Sequence, residues 1–282
     1  MWSWLKALAG APLKRDAALV PDDLWQALLI SLPFIAALNE AERADLRGLA
    51  ADFLADKEFQ GAGGLVITDA MALSIAAQAC LPLLHLGPPP ARPRADRLAW
   101  YADFVGIVVH PGEVVARREA VDDATGVVHQ YDEVLSGEAM DGGPVMLSWD
   151  EVARAGDAMA QGTNVVIHEF VHKIVMQGPH FEHAPGGCPP LPKDFLGTDS
   201  ARAAVDAWFA VLQPAFDGFR EKVIIAERFG GAPTWLDPYG AESIDEFFPV
   251  ACEAYFVNRA RFEQSFPALM PIFDGFFRQA GG

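Results

Sequence analysis

NVVIHEFVHK, residues 164–173, carries two histidines four positions apart with a glutamate directly after the first. Residues so spaced on a helix lie nearly one above the other, so His168 and His172 can aim ring nitrogens at one ion. Glu169 projects about 100° around the helix, where it reaches a metal-bound water from the side instead of acting as a ligand. The positions between and around them, Val165, Val166, Ile167, Phe170, Val171, Ile174 and Val175, are apolar and predict a helix buried on most sides. Two imidazoles and a carboxylate in such surroundings need compensation, because an unpaired buried charge costs several kcal/mol. A zinc ion satisfies all three groups together; two hydrogen-bonded core histidines are the alternative.

Outward from this stretch, Thr163 or Asn164 reads as the helix cap and Gly178 as its end, which places the HExxH helix at 164–177. Upstream, FVGIVVH, GEVVARRE, GVVHQYDEV and GPVMLSW are short β-rich runs separated by turn residues, predicting a small sheet over 100–150. Within it, GPVMLSW (143–149) is expected to offer an open edge to an extended peptide, with Val145 and Leu147 on one face and Met146 on the other. The first hundred residues are expected to be helical, with Asn39 ahead of Glu40 and Glu42 as one helix start. The rigid segment GPPPARPRADR (87–97) separates two structural halves. Downstream, 178–195 is too rich in Gly and Pro for regular structure, and helical spacing resumes near 199 and again from 242.

Composition narrows the function. The chain has 282 residues, 51% of them hydrophobic, enough for a sizeable core. Its net charge of −17 repels phosphate backbones and anionic lipid heads, so neither nucleic acid nor a membrane surface is an expected partner. Cys80, Cys188 and Cys252 are widely spaced and odd in number, which argues against a disulfide framework and fits a reducing, cytoplasmic setting. The apolar opening, MWSWLKALAGAPLKRD, lacks a basic leader, and the apolar stretch at 67–87 is interrupted by polar residues and proline, so a buried helix is expected there and not a membrane span.

Catalytic zinc takes three protein ligands and leaves a fourth position for water, so one more donor is required. By chemistry alone it comes either from the loop, with His180, Glu182 and His183, or from the segment 239–256, with Glu246 and Glu253. A third histidine at the HExxHxxGxxH spacing is absent, since Gly178 stands six after His172. Ser243 and Glu246 together also make a capping box, the structural alternative for that glutamate. Glu253, two turns further along, suits an acceptor for a ligand histidine or a solvated residue. Tyr239, in a Pro-Gly turn, is by residue type equally a packing anchor.

VVIHEFVHKI, the QG…PPLP loop (177–192), LDPYGAESIDEFF (236–248) and SG…GPVMLSW together resemble the MtfA-like family of zinc peptidases, related in its catalytic half to the anthrax lethal factor protease. The resemblance implies an α+β fold: a mainly helical, zincin-like metallopeptidase with a small mixed sheet before the HExxH helix. It implies one domain over 1–282, with a helical N-terminal part (1–90) and a catalytic part (98–282) that contains the sheet and a Glu helix at 243–258. It further implies Glu246 as third ligand beside His168 and His172, Tyr239 as a group steadying the oxyanion, and a peptide or protein substrate, with aminopeptidase-like cleavage among the expected activities. Members of the family are also associated with sequestering a transcriptional repressor of sugar uptake, so a regulatory binding protein with weak or regulated peptidase activity is the competing class. A zinc-stabilised structural protein is the third.

The expected chemistry is attack of a zinc-bound water on a peptide carbonyl, with Glu169 accepting the proton. Two departures from the family pattern bear on it. Val175 stands where relatives carry an aspartate, removing a carboxylate near the ligands, and Pro249 interrupts the Glu246 helix, where it removes a backbone hydrogen bond.

Overall fold

The computed structural model describes residues 20–87, 93–112, 114–121, 128–135, 137–177 and 186–278. The chain opens with α1 (Asp22–Ser31), α2 (Pro33–Ala36) and α3 (Glu40–Asp56). Asn39 caps α3 with a reciprocal bond pair to Glu42, which fixes the start that the sequence predicts. Strand β1 (Glu58–Gly61) follows, then α4 (Asp69–Cys80), whose buried face includes Met71, Leu73 and Ile75, and then α5 (Arg94–Leu98). The apolar stretch at 67–87 is thus the buried helix expected, and no helix among the described residues is long and apolar enough to cross a membrane.

Next come β2 (Gly106–His110), β3 (Val114–Val121), β4 (Val128–Leu135), β5 (Gly137–Ala139) and β6 (Val145–Ser148). The main sheet has the order β1-β2-β6-β5, parallel except for β5, which runs antiparallel to β6. β3 and β4 form a separate antiparallel ribbon. The architecture is mainly helical α+β with a small mixed sheet ahead of the HExxH helix, as expected.

Two expectations need correction. β1 lies in the stretch read as helical; EFQG is four residues long and only half buried, too short to register as alternation, and it is held by pairing with β2. GPVMLSW does alternate as predicted, with Val145 and Leu147 buried and Met146 half-buried, but its strand β6 lies between β2 and β5 and has no open edge. The turn at Met140–Gly143, with Gly142 at φ 59°, folds the chain back so that Gly137–Ala139 becomes the edge.

The second half supplies α6 (Trp149–Arg154), α7 (Val165–Met176), the long α8 (Ala201–Phe229), α9 (Ile244–Val257), α10 (Arg259–Ser265) and α11 (Met270–Phe277). α7 and α9 match the predicted HExxH and Glu helices within a residue at each end. One continuous apolar core joins α3 and α4 to α7, α8, α9 and α11. α9 runs through Pro249 uninterrupted; the lost donor is the one that would have met the Asp245 carbonyl.

Candidate metal centre

α7 is capped by Asn164, whose side-chain oxygen accepts from the Ile167 amide at 2.9 Å. α9 is capped by Ser243, whose hydroxyl accepts from the Glu246 amide at 3.2 Å. Only half of the predicted capping box forms there, because the Glu246 side chain turns toward α7. Its Oε2 lies 3.1 Å from His168 Nε2 and 3.3 Å from His172 Nε2, and the two imidazole nitrogens are 3.2 Å apart. Ligand atoms held near 2.1 Å from a tetrahedral ion sit about 3.4 Å from one another, so the observed triangle has the size a small divalent cation requires. Among the described residues these three are the cluster able to hold a metal. His180, Glu182 and His183, the other candidates, lie outside the described residues.

Glu253 is buried behind His168, with Oε1 2.8 Å from Nδ1, while Oε2 accepts from the Asn164 amide. The Asn164 side chain in turn donates to Gln78 Oε1 at 2.7 Å. With Nδ1 facing a carboxylate, His168 turns Nε2 toward the centre of the triangle, where the neutral ring would offer its lone pair. Glu253 therefore stands in the acceptor position that the sequence allowed and not in solvent. Gln78 was legible only as a polar interruption in an apolar helix.

The electrostatics favour a positive charge at this point. Burial works against a charged His168, yet the carboxylates of Glu246 and Glu253 outweigh it and raise the imidazole pKa well above its usual 6.5. Burial likewise raises Glu246, but hydrogen bonds from both imidazoles prevail and hold its carboxyl far below the ordinary range. The pocket is thus arranged to hold a cation, whether a proton or a metal ion.

Glu169 is 5% exposed, and burial, reinforced by Glu246, Glu253 and Glu138 against the opposing pull of His168, pushes it up to about 7. Its packing is close: a Cβ added to Gly137 on β5 would stand 2.5 Å from Oε1. Tyr239 occupies a 3-10 turn (Pro238–Ala241), is 38% exposed, and has its ring centre 6.0 Å from that of His168, so it faces the site and is not a packing anchor. Val175, at the position where a carboxylate was expected, is partly buried on the same wall. Asp245 lies near enough to His172 to feel its charge; burial raises its pKa, and His172 and the Gly187 backbone oppose the shift.

These residues line one cavity of about 650 Å³ between α7, α9 and the edge strand β5. Its described wall carries Glu138, Glu151, Asp237 and Asp245 besides the central carboxylates, and no lysine or arginine.

A mainly helical α+β fold with a His/His/Glu triangle on one face of an HExxH helix is a metallopeptidase-type fold. The sequence matches the profile of the glucose-regulated metallo-peptidase M90 family over residues 6–278, and the chain belongs to that family. It is 31% identical over 255 residues to Mlc titration factor A of Pectobacterium atrosepticum, covering 90% of this chain and 85% of that protein. The proteins of that name from Yersinia pestis and Yersinia pseudotuberculosis are each 29% identical over 251 residues, covering 89% of this chain and 82% of theirs.

Proposed function

We propose that this chain is a zinc peptidase, folded as a single catalytic domain, in which His168, His172 and Glu246 hold the ion and Glu169 serves as general base. The observation that carries the reading is the convergence of three ligand atoms within 3.1 to 3.3 Å of one another beside a buried glutamate whose pKa is pushed up to about 7. Two imidazoles and one carboxylate are the donor set of catalytic zinc and leave one position open. When bound, zinc supplies a Lewis acid that acidifies water and polarises a carbonyl.

The chain's own groups do the rest. Glu169, with a proton affinity matched to neutral pH, takes a proton from the attacking water at its carboxylate and returns it to the departing amine. Glu253 keeps the His168 ring oriented by accepting from Nδ1. Tyr239, with its ring centre 6.0 Å from that of His168, would donate from its hydroxyl to the oxygen that gains charge. An extended peptide would add to β5, whose antiparallel edge borders the cavity.

The test is metal analysis of the purified protein with cleavage assays of wild type and Glu169→Gln. One zinc per chain in both, with cleavage in wild type alone, is the expected result; equal cleavage in both rules out Glu169 as base.

A second reading draws on the name of the relatives, Mlc titration factor A, in which Mlc is what is titrated. On it, this chain binds a regulatory protein of the Mlc kind, and peptide hydrolysis is secondary. Stable capture of such a repressor by Glu169→Gln, together with no turnover of peptides by wild type, would favour it.

A further inference from the structure

The HExxH helix presents two i, i+4 pairs on adjacent faces. His168 and His172 face the metal triangle, and Glu169 and Lys173, one position further round, face the hairpin of β5 and β6. Lys173 is fully buried. Its Nζ donates to Met140 O at 2.5 Å and Gly143 O at 2.9 Å, both in the turn that joins β5 to β6, and pairs with Asp103 Oδ2 at 3.0 Å. The ring of Phe104 lies 4.6 Å from the same ammonium.

The turn is shaped for this. Met140 O also accepts from the Gly143 amide at 3.0 Å, Gly142 takes φ 59°, and a Cβ at Gly143 would stand 2.8 Å from Met140 Cβ. The two glycines therefore let the turn close tightly enough to aim both carbonyls at one ammonium. At the other end of the same strand, Gly137 rests on the carboxyl of Glu169. The edge strand is thus seated on α7 at two points one helical turn apart, by contact at Glu169 and by hydrogen bonds at Lys173.

We infer that Lys173 is a positioning residue that sets the height of the β5 edge above Glu169 and the metal triangle, and so fixes where an extended peptide lies relative to the base. The inference rests on the peptidase reading for its catalytic consequence, but the clamp itself is a property of the chain. A buried lysine satisfied by one carboxylate and two carbonyls of one turn is a costly way to build a core, and an apolar side chain of equal length would fill the space without aiming the turn. Two of its three hydrogen bonds are made to the hairpin whose outer strand borders the cavity.

The test compares wild type with Lys173→Met using two probes, an internally quenched extended peptide and a single-residue para-nitroanilide too short to run along β5. Misplacing a reacting group by about 1 Å costs on the order of a hundredfold. The expected result is a KM for the extended peptide raised about tenfold or more, a much smaller change for the anilide, and unchanged zinc content. Hydrogen exchange at amides 137–143 should quicken while that of α7 holds. Equal loss on both probes, or α7 exchanging together with the hairpin, would show a merely structural lysine and overturn the inference. If Lys173→Met does not fold, Gly143→Ala disturbs the same clamp from the hairpin side without orphaning a charge, and the same selective loss is expected. Should wild type bind no zinc and cleave neither probe, the peptidase reading fails, while the exchange comparison still decides the clamp.

Discussion

Glu253 Oε1 and His168 Nδ1 lie 2.8 Å apart, and that carboxylate has its second oxygen on the amide of the residue that caps the HExxH helix. One buried side chain therefore holds both the His168 ring and the start of the helix that carries it. Replacing it by glutamine keeps the shape and removes the charge. Metal affinity of Glu253→Gln is expected to fall about 10- to 100-fold, read by competition with a chromophoric chelator; an unchanged affinity would show that His168 needs no such partner.

Metal binding should release protons. Against the cost of burial, Glu246 and Glu253 hold a proton on His168 in the metal-free protein well above pH 6.5, and an incoming cation must displace it. Apparent affinity is expected to climb with pH until that elevated pKa is passed and then level off, with proton release declining in step. Calorimetry in buffers of different ionisation enthalpy measures both, and release that does not vary with pH would contradict the reading.

Glu169→Gln should separate activity from stability. Cleavage is expected to drop by about 10²- to 10⁴-fold with metal retained. The folded pKa is raised from 4.5 to about 7, so the native state favours the protonated carboxyl, and wild-type stability is lost as pH rises through about 7. Full ionisation of a group so shifted costs on the order of 3 kcal/mol. The metal-free variant should therefore melt higher than wild type at pH 8 and almost equally at pH 4; the reverse order would sink the assignment.

Gly137→Ala tests the seat of the edge strand. Its Cβ would stand 2.5 Å from Glu169 Oε1, closer than such atoms approach, so either the strand or the glutamate must move. The expected outcome is loss of peptide cleavage with zinc content and melting temperature little changed. Wild-type kinetics in this variant would mean that β5 and Glu169 are not tightly apposed.

Much of the fold was written locally. The apolar spacing around His168, the Asn39 and Ser243 caps and the alternation of Val145, Met146 and Leu147 each depend on neighbours in sequence, and each element formed where that pattern lay. What escaped depends on partners far away. β1 exists because β2 pairs with it, and the edge passed to Gly137–Ala139 because a Gly-Gly turn reversed the chain. In the site, the shared helix turn of His168, Glu169 and His172 was legible from helical spacing, but the approach of Glu246 to the two histidines needed family likeness, since the same residue also fits a cap, and the competing loop donors lie outside the described residues. Lys173 gave no signal beyond being a charged residue in an apolar run, although its complete burial is what ties α7 to the hairpin. Gln78 was equally silent, because a polar side chain inside a helix announces no distant partner.

Glu246 and Glu253 follow His168 by 78 and 85 residues, with the long α8 in between. During synthesis the two imidazoles leave the ribosome well before either carboxylate that completes or braces their site. A nascent chain that has not yet delivered residues 246–253 therefore lacks both the third corner of the triangle and the brace on His168, and the proposed site can assemble only after folding has drawn α9 back against α7.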